Sequence, residues 1–381
     1  MMSAPLSRRA RRGVTAASLS VVAILALPLT SCASGDASSS SESSGAGDEK
    51  SVTLVVHDSF PNDEFAAAAS DATGYDVKVI SAGDGGELTN KLVLTQGAPI
   101  ADAFFGVDTI FASRLVENDV VEPYVPEELP EGAWPLAVPH SEGGPDAATP
   151  SYIERTGMVP VDHGTTCVNI DTGWFAEEGV AAPETYEDLA KPEYQDLTVL
   201  LDPTASSTGA SFLVGTVEAF GEDGYVDYWQ SLVDNGARIE QGWSDAYYGQ
   251  FTQGGEDGTR PIVVSYASSP AFTVNEDGTE SSTAALLDTC TQQVEYAGVL
   301  KGTENPDGAR AVVDYLVSSE FQQMIPDAMY MVPVDDSAEL PEAWAKFAPE
   351  PEEEQLHDLP PAEIEAGRET WLKTLGEQIG I

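Results

Sequence analysis

Positive charge is what this sequence has least of. Its 381 residues hold 17 Lys and Arg against 64 Asp and Glu, a formal net charge of −47. Four of the arginines, Arg8, Arg9, Arg11 and Arg12, crowd the N-terminus, so the rest of the chain sets 13 basic residues against all 64 acidic ones, a net of −51. Nucleic acid is recognised through a basic surface, and this balance excludes it as a partner. Most of the acid reads as solvated surface, though it is compatible with a cationic ligand. Histidine is also sparse: four residues, scattered, offer no convincing metal cluster. No internal repeat and no heptad pattern stands out. The three cysteines are too few for a disulfide framework.

What is present begins with an address. The four arginines precede an apolar stretch at about 14–29, too short and wrongly flanked for a stable membrane span, so 1–31 reads as a signal peptide. It runs into Leu29-Thr30-Ser31-Cys32, which resembles the bacterial lipoprotein processing site. That resemblance implies cleavage before Cys32 and a lipid on its sulfur, giving an exported chain held on the outer face of the cytoplasmic membrane. Ordinary signal cleavage beside a stray cysteine is the alternative. Residues 32–50, rich in Ser, Gly and Ala, cannot bury enough apolar surface to order and read as a flexible tether.

Two cysteines remain in an oxidising compartment. Cys167 lies in the β-like run 165–169 and Cys290 just before another, 292–296, so a disulfide between neighbouring crossover strands is expected, with two free thiols as the alternative.

The body from 51 onward alternates. Strands are expected at 52–56, 77–80 and 101–105, with helical stretches at 63–70, 86–96 and 109–117 between and after them. This rhythm argues βαβ units and a mainly parallel sheet. A Pro- and Gly-rich stretch at 121–150 reads as surface loop. The alternation restarts with strands at 198–201, 237–240 and 261–266 and helices at 209–220, 225–233 and 244–251, and the C-terminal part is mostly helical. Two α/β units follow, and ligands of open α/β sheets bind beyond the carboxyl ends of strands. His57, the loop Gly83-Asp84-Gly85-Gly86, the stretch 202–209, Gly242-Trp243-Ser244 and Tyr266 to Phe272 all follow predicted strands.

Two of these segments are aromatic among small polar residues: Gly242-Trp243-Ser244-Asp245-Ala246-Tyr247-Tyr248 and Ser265-Tyr266-Ala267-Ser268-Ser269-Pro270-Ala271-Phe272. Aromatic faces attract cations through the ring quadrupole, so the mixture suits a flat cationic organic molecule; core packing is the ordinary use of such rings. Ser206, Ser207, Thr208 and Gly209 at a helix start offer free N–H groups to a hydroxyl or an anion, or simply cap the helix.

These segments together resemble the thiamine-binding subunits of ABC importers. The residues that carry the likeness are Asp58-Ser59-Phe60, Gly83 to Leu92, Asp202 to Gly209, Gly242 to Tyr247, Val263 to Phe272 and Ile325 to Val334, in order along nearly the whole body. The resemblance implies an α/β, two-domain type II periplasmic-binding-protein fold with a ligand cleft between domains and a two-strand hinge. The crossovers would fall near 160–167 and 290–294, with domain one at 51–164 plus 290–381 and domain two at 165–289. It also implies a site for thiamine or its phosphates. Trp243, Tyr266 and Phe272 would enclose the rings, and Asp84 would meet the aminopyrimidine or the positive charge. Ser206, Ser207 and Gly209 would receive the hydroxyethyl end or its phosphate, Tyr330 would add a wall, and His57 would stand where the family often has Tyr. No cofactor and no metal is expected, the partner would be an ABC permease, and the protein would act as a monomer.

Two other classes stay open. A ferric-ion binder of the same fold would use the adjacent phenols Tyr247 and Tyr248, since phenolates are good hard ligands. A thiamine-degrading enzyme would use Cys167 as nucleophile, which needs a free thiolate and a nearby base.

Overall fold

The structure is a computed structural model and describes residues 50–137, 150–255 and 257–381. The expected signal peptide, the tether as far as residue 49 and Cys32 lie outside the described residues.

Ten strands among the described residues form one sheet: β1 (Ser51–Val56), β2 (Asp76–Ser81), β3 (Ala103–Asp108), β4 (Val121–Glu122), β5 (Val159–Asp171), β6 (Thr198–Leu201), β7 (Arg238–Glu240), β8 (Ile262–Tyr266), β9 (Thr283–Leu300) and β10 (Val332–Pro333). The order is β2-β1-β3-β9-β5-β8-β6-β7, with β10 on β5 and β4 on β9. β1 is parallel to β2 and β3, and β6 is parallel to β7 and β8. Between these two parallel groups run β5 and β9, antiparallel to each other and to their outer neighbours.

Burial on both faces explains the apolar runs that mark the strands. Val52, Leu54 and Val56 of β1 enter one core cluster while Val55 enters the other. Helices close the connections where the sequence supplies ends for them. The helix Asn62–Thr73 stops at Gly74 in the left-handed region. The helix Gly85–Leu94 is capped by the Asp84 carboxylate, and Ser207–Phe220 by the Ser206 hydroxyl.

Register shows where the two groups point. β3 pairs with β9 from Ala103↔Val299 to Asp108↔Glu295, and β8 pairs with β5 from Ile262↔Ile170 to Tyr266↔Thr166. The carboxyl ends of both parallel groups therefore converge on the middle of β5 and β9. There the β5–β9 ladder is interrupted: Thr166 faces Thr291 and Val168 faces Leu286, leaving Cys167 alone against residues 287–290. The disulfide Cys167–Cys290 closes this gap, its Cα atoms 4.2 Å apart. Ala267 and the partly buried Leu287 and Leu356 pack around it.

The expected alternation matches the outer elements. It understated the two central strands, of which only 165–169 and 292–296 were read as extended. The stretch read as loop from 121 holds the short β4 and a 3-10 turn, Glu131–Leu136, and 138–149 lie outside the described residues.

Candidate ligand-binding site

A pocket opens where the strand ends converge. His57, Ser59, Asp84, Ser207, Trp243, Ser244, Tyr248, Tyr266, Glu295, and Ala328 through Met331 line it. Both halves of the sheet thus contribute, as do β9 and the turn after the helix Ile325–Met329.

Asp84 sits at the centre of the contacts between halves. Its Oδ1 accepts the N–H of Gly85 at 2.6 Å and of Ser207 at 3.1 Å, and its Oδ2 accepts the N–H of Trp243 at 3.0 Å. One carboxylate thereby satisfies first-turn amides of three helices, groups that no intrahelical carbonyl can reach. The glycines around it allow this approach. A Cβ on Gly86 would stand 2.7 Å from the Thr204 carbonyl, and the N–H groups of Gly86 and Glu87 both donate to the Ala205 carbonyl. A Cβ on Gly242 would crowd the Asp84 carboxylate at 3.2 Å. A second link is the Ser59–Ser244 hydroxyl pair at 3.1 Å.

The aromatic wall is built by the start of the helix Trp243–Gln250, the end of β8 and Tyr330. Trp243 stacks on Tyr247 with centroids 4.9 Å apart, and meets Tyr330 at 5.5 Å and Tyr266 at 6.1 Å. Its indole N–H donates to the Ser265 hydroxyl at 2.8 Å, which fixes the ring plane. Tyr330 holds φ 64, the left-handed region, and its carbonyl accepts the Ser268 hydroxyl. Burial, and then the neighbouring Tyr248, push the Tyr330 phenol up.

Glu295 lines the pocket as well, whereas Asp162 and Asp108 near it are outside the lining. Glu295 on β9 lies opposite Asp162 on β5, and burial lifts both well above the usual carboxylate range. Asp108 at the end of β3 is pushed up to about 6 by burial, against the pull of the Ser207 hydroxyl and the Ile110 and Phe111 amides. Burial pushes His57 down to about 4, with Asp84 opposing. The His57 Nδ1 accepts the Ser59 N–H, while Nε2 has no hydrogen-bond partner and stands 3.8 Å from Glu295 Oε2.

Of the residues singled out in the sequence, His57, Asp84, Ser207, Trp243, Tyr266 and Tyr330 line the pocket, whereas Ser206, Gly209 and Phe272 do not. Ser206 caps its helix by accepting the Gly209 N–H at 3.3 Å. Phe272 stacks behind Tyr330 at 3.6 Å. Sequence reasoning missed Ser59, Ser244, Tyr248, Glu295 and the methionines Met329 and Met331 as lining residues. Tyr247 and Tyr248 stand at 87° to each other, the first buried against Trp243 and the second half exposed. Among the described residues, no group of three or more His, Cys, Asp or Glu is arranged to hold a metal ion. Cys167 is disulfide-bonded, buried and outside the pocket, so it presents no thiolate.

A family model described as bacterial extracellular solute-binding protein matches residues 98–364. The thiamine-binding periplasmic protein of Escherichia coli (strain K12) is 25% identical over 337 residues, covering 84% of this chain and 91% of that protein. A solved periplasmic thiamin binding protein superposes with a TM-score of 0.70 at 24% identity, over 86% of this chain and 96% of its own. The periplasmic binding protein P5PA does so at 0.67 and 16% identity, over 86% and 99%. The topology is the type II periplasmic-binding-protein fold.

Proposed function

This chain belongs to the bacterial extracellular solute-binding protein family, and from that premise we propose that it captures thiamine in the pocket between its two halves and delivers it to an ABC permease. It is an extracytoplasmic binding protein and not an enzyme. The observation that carries the ligand is the composition of the pocket: Trp243, Tyr266 and Tyr330 on one side and Glu295 and Asp84 on the other, with no Lys or Arg in the lining. A thiazolium is a permanent cation, so ring faces and carboxylates both favour it without a proton being gained.

Several expectations belong to the same proposal. The halves act as domains, 51–164 plus 290–381 and 165–289, that close on the ligand about β5 and β9. The protein works as a lipid-anchored monomer through Cys32 and needs no cofactor. The Ser207 end of the pocket receives the hydroxyethyl group or its phosphate. The likeness to the thiamine-binding periplasmic protein supports this reading.

Titration calorimetry with thiamine tests it, run beside its phosphates and beside a ferric salt. Saturable binding of a thiamine form is expected, weakened on the order of a hundredfold in Trp243→Ala, since a buried aromatic anchor carries a large share of such an interface. Absence of thiamine binding would remove that ligand, and a phenolate–iron colour with ferric salt alone would put iron in its place. Unchanged affinity in Trp243→Ala would take that residue out of the site.

A further inference from the structure

Glu295 is the lining carboxylate with acceptor capacity to spare. The Asp84 oxygens already accept three backbone amides. In contrast, Glu295 accepts a long 3.4 Å contact from the Gln293 amide on Oε1, has the His57 ring 3.8 Å from Oε2, and otherwise shares a side-chain hydrogen bond with Asp162. It is 4% exposed and reaches the pocket from the strand that joins both halves. Behind it, fully buried, Asp162 sits directly across the ladder.

Among the described residues, the groups that face Glu295 carry no fixed positive charge. From β5 comes Asp162, from β3 Asp108, from the loop after β1 His57, from the helix start Asp84, from β8 Tyr266, and from β9 itself Gln293. The buried Arg368 is engaged elsewhere, on the Ile110 carbonyl and the Ser113 hydroxyl. Burial favours the neutral form of both carboxyls, and two this close and this dry cannot both ionise, so a free pair holding two protons can release one and keeps the other. His57, 8% exposed and with an unpartnered Nε2 on the pocket wall, is the nearest base. An imidazolium there would itself be desolvated and would repel a bound cation, so a proton leaving Glu295 goes to solvent.

We propose that Glu295, backed by Asp162, is the counter-ion that a cationic ligand meets in this pocket, and that capture breaks the carboxyl O–H bond and releases one proton to solvent. The inference rests on the thiamine reading and adds to it a residue and a linkage. Binding then strengthens as pH rises, by at most about tenfold per unit for one proton, over the range in which the free pair is protonated and the complex is not.

The test is calorimetry of the purified protein with thiamine at one pH in buffers of low and high ionisation enthalpy, phosphate and Tris. The dependence of the observed heat on buffer ionisation enthalpy counts protons. About one released is expected for the wild type. Near zero is expected for Glu295→Gln, a near-isosteric substitution, with affinity lower by roughly tenfold and no longer pH-dependent. The uncharged deaza analogue, which keeps the aminopyrimidine but carries carbon in place of the thiazolium nitrogen, should release none. Binding of thiamine without proton release overturns the inference and leaves the ligand standing. So does equal release with the deaza analogue, or release that persists in Glu295→Gln. Failure of thiamine to bind removes the ligand and this inference together.

Discussion

A carboxylate has two oxygens, and at Asp84 both are turned toward backbone amides rather than left open to the pocket. That residue was expected to meet the ligand directly. Its geometry also makes it the pin that draws the starts of the helices Ser207–Phe220 and Trp243–Gln250 against Gly85. Charge-assisted bonds of this kind are stronger than neutral ones. Asp84→Asn keeps the size, leaves one acceptor oxygen and turns a donor toward an N–H. One cross-pocket bond is lost and one repulsive contact appears. Thiamine affinity should fall by about tenfold or more, as expected for one to two kcal/mol. Amide hydrogen exchange at Ser207 and Trp243 should rise in the same variant. Unaltered exchange at both would mean that the amides do not depend on Asp84.

At the scale of elements, what was legible in the sequence and what was not have separate physical causes. The loops at strand ends were legible because each needs special residues. Gly85 and Gly86 let two backbones touch, and Ser206 and Asp84 cap helices. β5 and β9 were read short because their period-two pattern breaks where Cys167 faces 287–290. Asp162 and Glu295 escaped notice because a carboxyl in an extended run ordinarily faces water. Only the pairing of two central strands turns them inward. A usable signal was there in Val159-Pro160-Val161-Asp162 and Val294-Glu295-Tyr296, where an acid ends or interrupts an apolar run in both crossover strands. The disulfide spans a sequence separation of 123 and lies outside the pocket. Replacing both cysteines with Ala should therefore cost stability, about 2–5 kcal/mol, while thiamine affinity stays within roughly threefold. Denaturant unfolding and calorimetry read the two separately. A large loss of affinity with stability unchanged would mean that the bond positions the site rather than holding the fold.

The whole molecule carries its excess of acidic residues into the interior as well as over the surface, and the two act in the same direction with pH. Burial raises Asp108 to about 6 and holds Asp162 and Glu295 well above the carboxylate range. In the unfolded chain such groups ionise near pH 4. Between that value and the folded one, the folded state binds more protons, so stability falls as pH rises through this window. His57 works the other way. Its folded value, about 4, lies below the unfolded one, so its neutral burial is costless above about pH 6.5 and weakens the fold as pH drops toward 4. His163 is lowered by burial as well, and Asp58 is pushed up to about 6, so these four raised acids stand against two lowered histidines; surface repulsion at a net of −47 also eases as pH falls. The melting temperature should therefore be higher near pH 5.5 than at pH 8, by roughly 5 °C. Added salt should narrow the gap only in its surface part, since buried groups are poorly screened. Asp162→Asn should flatten the profile by removing the proton that the pair must hold. A melting temperature that rises steadily from pH 5.5 to 8 in scanning calorimetry would mean that the interior acids are charged in the folded protein, and that burial has not set their protonation.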